Sequence, residues 1–300
     1  MAIDKEFYNE ASAAKLGWDP TWFGQCYFDK KLTLAIKKFQ RENGLTADGL
    51  CGPGTFRRLW TYREANIADY VAPNVPNDGK ARIVYNGKEF PIEWERTVLW
   101  DDEGGLMAKL GNYTSMAGKR VRKPTMFVNH WDVCLSSASC QRVLDRRGIS
   151  VHFLIDNDGT IYQTCDLQNI AWHAGNSTCN RKSIGVEISN AYDLKWQSWY
   201  KKNGFGERPV VSDAEVHGKT LKPHLDFYPV QIEALKALWK AVHNACGIPL
   251  ETPTGAAKNA YTADVSSGRF KGIVSHYHIT KRKIDCAGLD IEELLEDIEE

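Results

Sequence analysis

The spacing of apolar residues predicts a small helical unit at the start of the chain. Within residues 32–60, Leu34, Phe39 and neighbouring apolar positions recur at steps of three to five until Gly44 interrupts the pattern, as in an amphipathic helix. A second short helix is predicted at residues 54–60. The loop between them carries four glycines, which permit tight turns and left-handed backbone angles. We therefore expect a compact helical module.

Residues 71–80 have the composition of a linker. They carry two prolines, two asparagines, an aspartate and a glycine, which are typical of turns and loops. We expect a helical domain at residues 1–70, a linker at 71–80 and a second domain at 81–300.

The second domain mixes strand-like and helical patterns. Residues 230–245 place their apolar side chains on one stripe, which is typical of a helix packed on a sheet. Asn157-Asp158-Gly159 separates two β-rich runs and predicts a hairpin, because Asp-Gly accepts positive φ angles. These patterns indicate an α/β or α+β domain, ending in an acidic helix at residues 289–300. The predicted strands are residues 82–85, 97–100, 125–129, 151–156, 160–164, 183–189 and 272–276.

Charge and hydropathy exclude several classes of protein. Lysine plus arginine equals aspartate plus glutamate at 38 each, so no net field draws the chain to nucleic acid or to an anionic membrane. The first residues are polar where a signal peptide has its apolar segment, and no apolar run approaches 18 residues. We expect a protein without nucleic-acid partners or membrane insertion that is made and kept in the cytoplasm.

The eight cysteines are irregularly spaced. The nearest pair, Cys134 and Cys140, lacks the C-x-x-C spacing of a redox or zinc-ribbon site. We expect mostly reduced thiols and no structural zinc site built from cysteines.

Metal-capable side chains cluster at or just after three apolar runs. Residues 126–131, 273–278 and 281–286 carry, between them, histidines, an aspartate and a cysteine. A catalytic zinc ion needs three protein ligands of these types and one open position. The motif H-E-x-x-H is absent, which disfavours a zincin-type protease. Taken singly, a histidine at a strand end is more often a structural residue, so the residues alone leave both interpretations open.

From about residue 96 to residue 290, the chain resembles the type 2 N-acetylmuramoyl-L-alanine amidases, which include phage amidases and relatives of the animal peptidoglycan recognition proteins. Five blocks occur in the order of that family, which makes a chance match improbable. The resemblance implies an α/β domain with a mixed central sheet and flanking helices. The blocks are the strand ending in His130, VHFLIDNDGTIYQ at 151–163, AWHAGN at 171–176, SIGVEI at 183–188, and the segment from Ser275-His276 to Lys283-Ile284-Asp285.

The N-terminal module resembles the peptidoglycan-binding type 1 family through FQRENGLTADGLCGPGT at residues 39–55. That resemblance implies a small all-α domain of three helices and peptidoglycan as the partner. The combination resembles a phage endolysin, held in the host cytoplasm until a partner holin gives it access to the cell wall. A bacterial wall-recycling or prophage enzyme is the alternative with the same chemistry. We expect a monomer.

The amidase resemblance also implies a zinc ligand set. Zn²⁺ would be held by His130, His276 and Asp285, without an organic cofactor. The family uses aspartate in one branch and cysteine in another, so Cys286 is the alternative third ligand, although the K-x-D spacing from Lys283 favours Asp285. Relatives usually have a proline after the ligand region, whereas Cys-Ala-Gly stands here.

Two further residues match catalytic positions of the family. Glu187 would be the general base, and its alternation with Val186 and Ile188 puts it on the opposite face of the strand from them. Lys283 would stabilise the developing oxyanion. The competing interpretations are a salt-bridged strand carboxylate for Glu187 and a solvated basic run for Lys283. Val151 stands where some relatives have a tyrosine, which gives Glu187 more weight.

Several other positions match the substrate cleft of the family. His152 and His173 would contact substrate or orient the ligands, with purely structural roles as the equal alternative. Trp172 and Asn176 are candidate substrate contacts in the same blocks. His278 is a weaker candidate ligand, because on an extended segment it would face the same side as His276. No role follows for residues 191–224, rich in aromatic and basic side chains, which could cap one wall of the cleft.

The resemblance implies hydrolysis of the amide between N-acetylmuramic acid and the L-alanine of the stem peptide. Two alternatives differ in function. A member that only binds muropeptides would lack a ligand, whereas a zinc peptidase would cut within the stem peptide.

Overall fold

The structure is a computed structural model that describes residues 3–72 and 81–299. The greater part of the predicted linker, residues 73–80, lies outside the described residues. The limits of the two domains therefore stay a prediction.

The N-terminal module contains three α-helices and a short 3-10 helix at Pro20–Phe23. Asp4 and Asp29 cap the first two α-helices by accepting hydrogen bonds from backbone N–H groups of the first turn, which satisfies donors that have no partner within the helix. The last helix runs well beyond the predicted residue 60. The α-helices are α1 (Lys5–Leu16), α2 (Lys30–Glu42) and α3 (Pro53–Ile67).

The Gln40 side chain explains why the loop motif of the module is so constrained. Its amide nitrogen donates to Asp48 Oδ1 at 2.8 Å and to Thr55 Oγ1 at 3.1 Å, and its amide oxygen accepts from Gly49 N at 2.8 Å. Gln40 is almost fully buried, so these bonds replace those it would make to water. Asp48, Gly49 and Thr55 therefore serve the fold of the module.

The second domain is built on a mixed six-stranded sheet, which confirms the predicted α/β architecture. The strand order is β14-β5-β9-β6-β7-β3, with β6 and β7 antiparallel and every other neighbouring pair parallel. The remaining strands form two-stranded pairs. The strands are β1 (Arg82–Tyr85), β2 (Lys88–Pro91), β3 (Thr97–Leu99), β4 (Tyr113–Thr114), β5 (Met126–Trp131), β6 (Phe153–Ile155), β7 (Ile161–Gln163), β8 (Ile170–Ala171), β9 (Ser183–Ile188), β10 (Val210–Val211), β11 (Glu215–Val216), β12 (Lys219–Thr220), β13 (His224–Leu225) and β14 (Gly272–Ser275).

Helices cover the sheet, and the longest of them matches the predicted stripe. The helix predicted at residues 230–245 runs from Pro229 to Cys246, and its buried residues include Leu235, Leu238 and Trp239. Gly247 ends it in the left-handed conformation at φ 71°, which glycine adopts without steric cost. The helices are α4 (Ser137–Arg147), α5 (Ser177–Lys182), α6 (Gln197–Lys202), α7 (Pro229–Cys246), α8 (Ala263–Ser266), α9 (His276–Ile279) and α10 (Ile291–Glu299).

The predicted hairpin is present, whereas the strand predicted at residues 272–276 ends before His276. Strands β6 and β7 pair antiparallel around Gly159, which has a φ of 79°. Strand β14 stops at Ser275, and His276 begins helix α9, because Ser275 and His278 form a reciprocal cap. The segment carrying His276 and His278 is therefore helical and not extended.

The module and the amidase-like domain share one hydrophobic core. Phe56 and Leu59 of α3 belong to the same buried cluster as Leu144 of α4 and Leu154 of β6. Polar contacts reinforce this interface. Trp60 Nε1 donates to Ser139 Oγ at 3.2 Å, and Thr61 Oγ1 donates to the Val133 carbonyl at 2.7 Å.

Residues 191–224 pack beside the module. Trp196, Trp199 and Tyr200 form a small buried cluster with Leu225 and Tyr228. A groove of about 500 Å³ separates part of this segment from the module. Its lining includes Arg41, Arg58, Tyr192, Leu194, Lys222 and His224.

Within the described ranges 3–72 and 81–299, the helices fall short of the combination of length and apolar character that a membrane span requires.

The shared core predicts that the two domains unfold together. Phe56 is fully buried at their interface, so Phe56→Ala should lower the free energy of unfolding by about 3–5 kcal/mol. Urea denaturation followed by circular dichroism and by tryptophan fluorescence should show one transition, shifted as a whole. Phe7→Ala is the control, because Phe7 is 71% exposed. Two transitions, one of them unmoved by Phe56→Ala, would contradict this.

Candidate metal centre

Three candidate ligands meet at one edge of the sheet. His130 lies near the end of β5, and His276 directly follows β14, which pairs with β5 in parallel. Parallel neighbours end at the same edge, so the two histidines approach each other there. Asp285 reaches them from the turn that follows α9. All three are at most 6% exposed.

The ligand atoms have the spacing of a metal site. His130 Nδ1 lies 2.9 Å from His276 Nδ1 and 3.2 Å from Asp285 Oδ2, and His276 Nδ1 lies 3.0 Å from the same oxygen. Four tetrahedral bonds of the length that zinc makes to nitrogen and oxygen place neighbouring ligand atoms about 3.3 Å apart. Two imidazole nitrogens and one carboxylate oxygen are also donors that zinc accepts. The three side chains therefore fit a divalent cation such as zinc.

The protonation states also suit metal binding. Burial lowers the pKa of His276, and the nearby Asp285 carboxylate offsets this only in part. Burial alone would raise the pKa of Asp285, but His276 and His130 hold it well below its usual range. A neutral imidazole and an ionised carboxylate are the forms that ligate a cation.

Cys286 does not join this group. Its side chain is fully buried in the main apolar core, together with Ala287 and Leu289. Burial raises the pKa of its thiol well above the ordinary value, which disfavours the thiolate that a metal requires. Of the two candidate third ligands, the structure brings Asp285 to the histidines.

A chain of hydrogen bonds fixes the tautomer of His130. Ser183 Oγ donates to the Cys179 carbonyl at 2.7 Å, so it accepts from His173 Nε2 at 3.1 Å. His173 Nδ1 then accepts from His130 Nε2 at 3.0 Å. The proton of His130 is thereby held on Nε2, and Nδ1 keeps its lone pair for a metal. Burial, with His130 beside it, lowers the pKa of His173 well below its ordinary value, as a neutral ring requires.

Gly185 on β9 makes room for His173. A Cβ atom at this position would lie 2.5 Å from His173 Nδ1 and 2.8 Å from His173 Cγ. The histidine ring therefore lies flat against a strand that carries no side chain at this point.

Glu187 faces the same side of the sheet as His130. The two residues are register partners in the parallel pair of β5 and β9, where side chains in register project to one face. Glu187 Oε1 lies 3.5 Å from Arg57 Nη2 of α3. Glu187 Oε2 is buried and has no hydrogen-bond partner among the described residues. One oxygen thus faces Arg57, and the other has no partner within the described part of the chain.

A cleft of about 580 Å³ opens beside His276. Among the described residues that line it, Arg147, Arg282 and Lys283 are cations, and no aspartate or glutamate joins them. Lys283 is half-buried and lies two residues before Asp285, outside the helices and strands. The cleft therefore favours a ligand that carries carboxylates.

Three of the four predicted substrate contacts line this cleft. They are Trp172, His173 and Asn176. Trp172 Nε1 donates to Thr114 Oγ1 at 3.2 Å, and Asn176 caps α5, so both are held in place.

For His152 the structure favours the structural alternative over a substrate contact. Its side chain is fully buried, its Nδ1 accepts from Gly185 N at 3.1 Å, and its Nε2 lies 3.1 Å from the Asn169 carbonyl. Burial lowers the pKa of His152 to about 3. With both ring nitrogens bonded inside the protein, His152 is a structural residue.

The candidate ligand His278 is corrected for a similar reason. Its Nδ1 accepts from Ser275 N at 2.9 Å, and its Nε2 lies 2.9 Å from the Lys258 carbonyl. Both nitrogens are used within the turn of α9, so neither is available to the centre.

A second group of metal-capable side chains was not expected from the sequence. Asp132, Cys134 and Cys140 lie within 4.8 Å of one another and are buried. Asp132 already accepts from the backbone N–H groups of Cys134 and Asn190 and from Ser189 Oγ. Its carboxylate is satisfied by protein donors, and all eight cysteines are free thiols. This group serves the fold.

Arg57 is the residue of the site that sequence reasoning missed. It lies in the other predicted domain, 130 residues from Glu187 along the chain. Its contact depends on how the two domains pack, and no local pattern records that.

Comparisons with known proteins match two parts of the chain to families. Residues 120–288, more than half of the chain, match the family described as N-acetylmuramoyl-L-alanine amidase. Residues 16–59 match the family described as putative peptidoglycan binding domain.

Two curated relatives are similar to parts of the chain. A putative N-acetylmuramoyl-L-alanine amidase from Rickettsia conorii is 39% identical over 75 residues, which are 23% of this chain and 28% of that protein. The N-acetylmuramoyl-L-alanine amidase CwlM from Mycobacterium tuberculosis is 24% identical over 225 residues, which are 65% of this chain and 48% of that protein. The chain therefore spans less than half the length of either relative.

Solved structures with low sequence identity were also found. The endolysin amidase LysCS from Clostridium intestinale is 16% identical, with coverage of 68% of this chain and 95% of that chain and a TM-score of 0.40. AmpDh3 from Pseudomonas aeruginosa, in complex with an anhydromuramic pentapeptide, is 23% identical, with coverage of 64% and 66% and a TM-score of 0.37.

The packing of His173 against Gly185 predicts how the centre can be weakened at a distance. Gly185→Ala should displace His173, free the ring of His130 to rotate, and lower the affinity for zinc about 10- to 100-fold. Competition with a chromogenic chelator measures this affinity. Gly54→Ala is the matched control, because a Cβ atom there meets nothing within 4 Å. Equal affinities of the two variants would refute the proposed orienting role of His173.

Proposed function

Because the chain belongs to the N-acetylmuramoyl-L-alanine amidase family, we propose that it hydrolyses the amide bond between N-acetylmuramic acid and the L-alanine of the stem peptide in peptidoglycan. The observation that carries this proposal is the convergence of His130, His276 and Asp285 beside Glu187. The unpartnered oxygen of Glu187 adds to it, because a base needs a free acceptor within the site.

The metal in this proposal is zinc, held by His130, His276 and Asp285. A zinc ion bound there would lower the pKa of its bound water to near neutral. It would also polarise the substrate carbonyl. The hydrogen-bond chain from Ser183 through His173 keeps His130 in the tautomer that ligation needs. The cleft beside His276 supplies the open side from which substrate enters.

Glu187 is the proposed general base. Its free oxygen takes the proton as the water oxygen forms a bond to the lactyl carbonyl carbon. The carbon–nitrogen bond then breaks, and Glu187 returns the proton to the amine of L-alanine. Such transfer by a positioned group contributes typically about 10²- to 10⁴-fold in rate.

Lys283 is the proposed stabiliser of the oxyanion. It lines the cleft next to the ligands and is half-buried, which strengthens its interaction with developing negative charge. Arg147 and Arg282 on the same cleft suit the carboxylates of a stem peptide. A peptide substrate that carries these charges fits better here than a neutral one.

The wider role in this proposal is that of an endolysin. The matched peptidoglycan-binding module supports a cell-wall substrate. The enzyme would act as a monomer, wait in the host cytoplasm and reach the wall when a holin opens the membrane. Transcription of the gene together with a holin during phage growth would support this role. Constitutive expression with wall-recycling genes would contradict it.

Three substitutions separate metal binding from proton transfer. His130→Ala and Asp285→Ala should each abolish zinc binding and activity, because each removes one of three ligands. Glu187→Gln should keep zinc and lose about 10²- to 10⁴-fold in rate. Atomic absorption measures the zinc, and release of free amino groups from purified peptidoglycan measures the rate.

Product analysis tests the bond that is cut. Mass spectrometry should show intact stem peptides beginning with L-alanine. Shorter peptides would instead identify a peptidase that cuts within the stem peptide. Binding of muropeptides without release of any product would identify a protein that only binds the cell wall. Removal of zinc by a chelator should abolish activity, and added zinc should restore it.

The role of Lys283 can be tested with Lys281 as a control. Lys283→Met should lower kcat on the order of 10²-fold with zinc retained, since one stabilising donor is lost. Lys281→Met should change kcat little, because Lys281 is exposed and lies over the ring of Tyr261. Similar rates for the two variants would remove Lys283 from the mechanism.

A further inference from the structure

Arg57 joins the peptidoglycan-binding module to the proposed base of the amidase. It lies on α3, within residues 16–59, and its Nη2 is 3.5 Å from Glu187 Oε1. The two side chains are only 14% and 7% exposed. The pair is therefore shielded from solvent. In the interior of the protein, the attraction between opposite charges is much stronger than at the surface.

The surroundings of this pair keep Arg57 charged. Burial alone would lower the pKa of Arg57, but the Glu187 carboxylate, together with Cys134, Cys140 and Asp132, outweighs burial and raises the pKa above its ordinary value. Arg57 therefore stays charged. Loss of Arg57 would leave Glu187 without the cation that contacts it, with Arg147 as the other cation nearby, and a buried charge that lacks its partner is destabilising.

Neighbouring contacts hold Arg57 in place on both sides along α3. Arg58 donates to the hydroxyl of Tyr192 and stacks on its ring at 4.3 Å. On the next turn, Thr61 and Trp60 bond to the loop after β5 and to α4. The helix cannot slide or turn without breaking these contacts, so Arg57 is fixed relative to β9.

The two oxygens of Glu187 have different surroundings. Oε1 faces Arg57, whereas Oε2 is buried without a hydrogen-bond partner among the described residues. We propose that Arg57 is a positioning residue of the amidase: it holds Oε1 so that Oε2 points to the reacting water, and the wall-binding module thereby completes the active site. This inference rests on the proposed function, in which Glu187 transfers the proton.

The test compares full-length, zinc-loaded variants on a soluble muropeptide, so that binding of the module to intact wall does not enter. Arg57→Ala should lower kcat on the order of 10- to 100-fold, a part of the contribution of a general base, and change KM less than about threefold. Arg57→Lys should recover part of the loss. Guanidinium ion at tens of millimolar should also raise the kcat of Arg57→Ala, whereas sodium chloride at equal ionic strength should not.

Arg63→Ala is the matched control. Arg63 lies on the same helix but stacks on Trp22 within the module, at 4.3 Å, so its loss should leave kcat near that of the wild type. Adding Arg57→Ala to Glu187→Gln should cost nothing further, because two residues that act through one step are not additive.

The outcomes separate this inference from the proposed function. A wild-type chain that releases no L-alanine peptides refutes the function itself. If the wild type is active and Arg57→Ala has the same kcat, the inference alone is refuted. A higher kcat of Arg57→Ala also refutes it, because the contact would then slow the reaction. If Arg57→Ala fails to fold, Arg57→Met decides: wild-type kcat in a folded Arg57→Met variant overturns the proposal, whereas a loss of kcat that Arg57→Lys partly recovers supports it.

Discussion

The site depends on the parallel pairing of three neighbouring strands at one side of the sheet. Strands β14, β5 and β9 run in the same direction, so their carboxyl ends deliver His276, His130 and Glu187 to one edge. A shift of one residue in either pairing would turn the affected side chain to the opposite face. The fully buried positions of β5 and β9 make such a shift costly. The register of the sheet therefore sets how His130, His276 and Glu187 lie relative to one another, whereas Asp285 reaches the centre from the turn after α9.

The sequence predicted those parts of the fold that local patterns encode. The stripe of α7 and the turn at Gly159 are confirmed, because each follows from side-chain periodicity or from the backbone freedom of glycine. The mixed sheet is confirmed as well, but it was implied by the resemblance to a family and not by a local pattern. The end of β14 was misjudged, since the cap between Ser275 and His278 competes with the strand. A histidine can serve as cap or as ligand, and its spacing does not distinguish the two.

The candidate site was predictable only through resemblance to a family. Spacing from Lys283 favoured Asp285 but left Cys286 open. Packing separates them, because Asp285 lies against two histidines and Cys286 lies within apolar side chains. His152 matched a cleft position, yet hydrogen bonds on both ring nitrogens fix it in the interior. Arg57 carried no signal at all, because its partner belongs to the other predicted domain. Contacts between distant segments are the information that a single sequence does not display.

The joint core of module and amidase also limits how this architecture can be recombined. In enzymes that degrade the cell wall, a binding module can be exchanged for another. Such an exchange leaves the catalytic domain unaffected only if the module is joined to it by a linker alone. Here, excision of α3 would uncover Leu144 and Leu154 to water and strip a buried carboxylate of its cation. A chimera must therefore inherit the docking face of α3 along with any new binding specificity, so the cut point for grafting lies on the outer surface of the module and not at the linker.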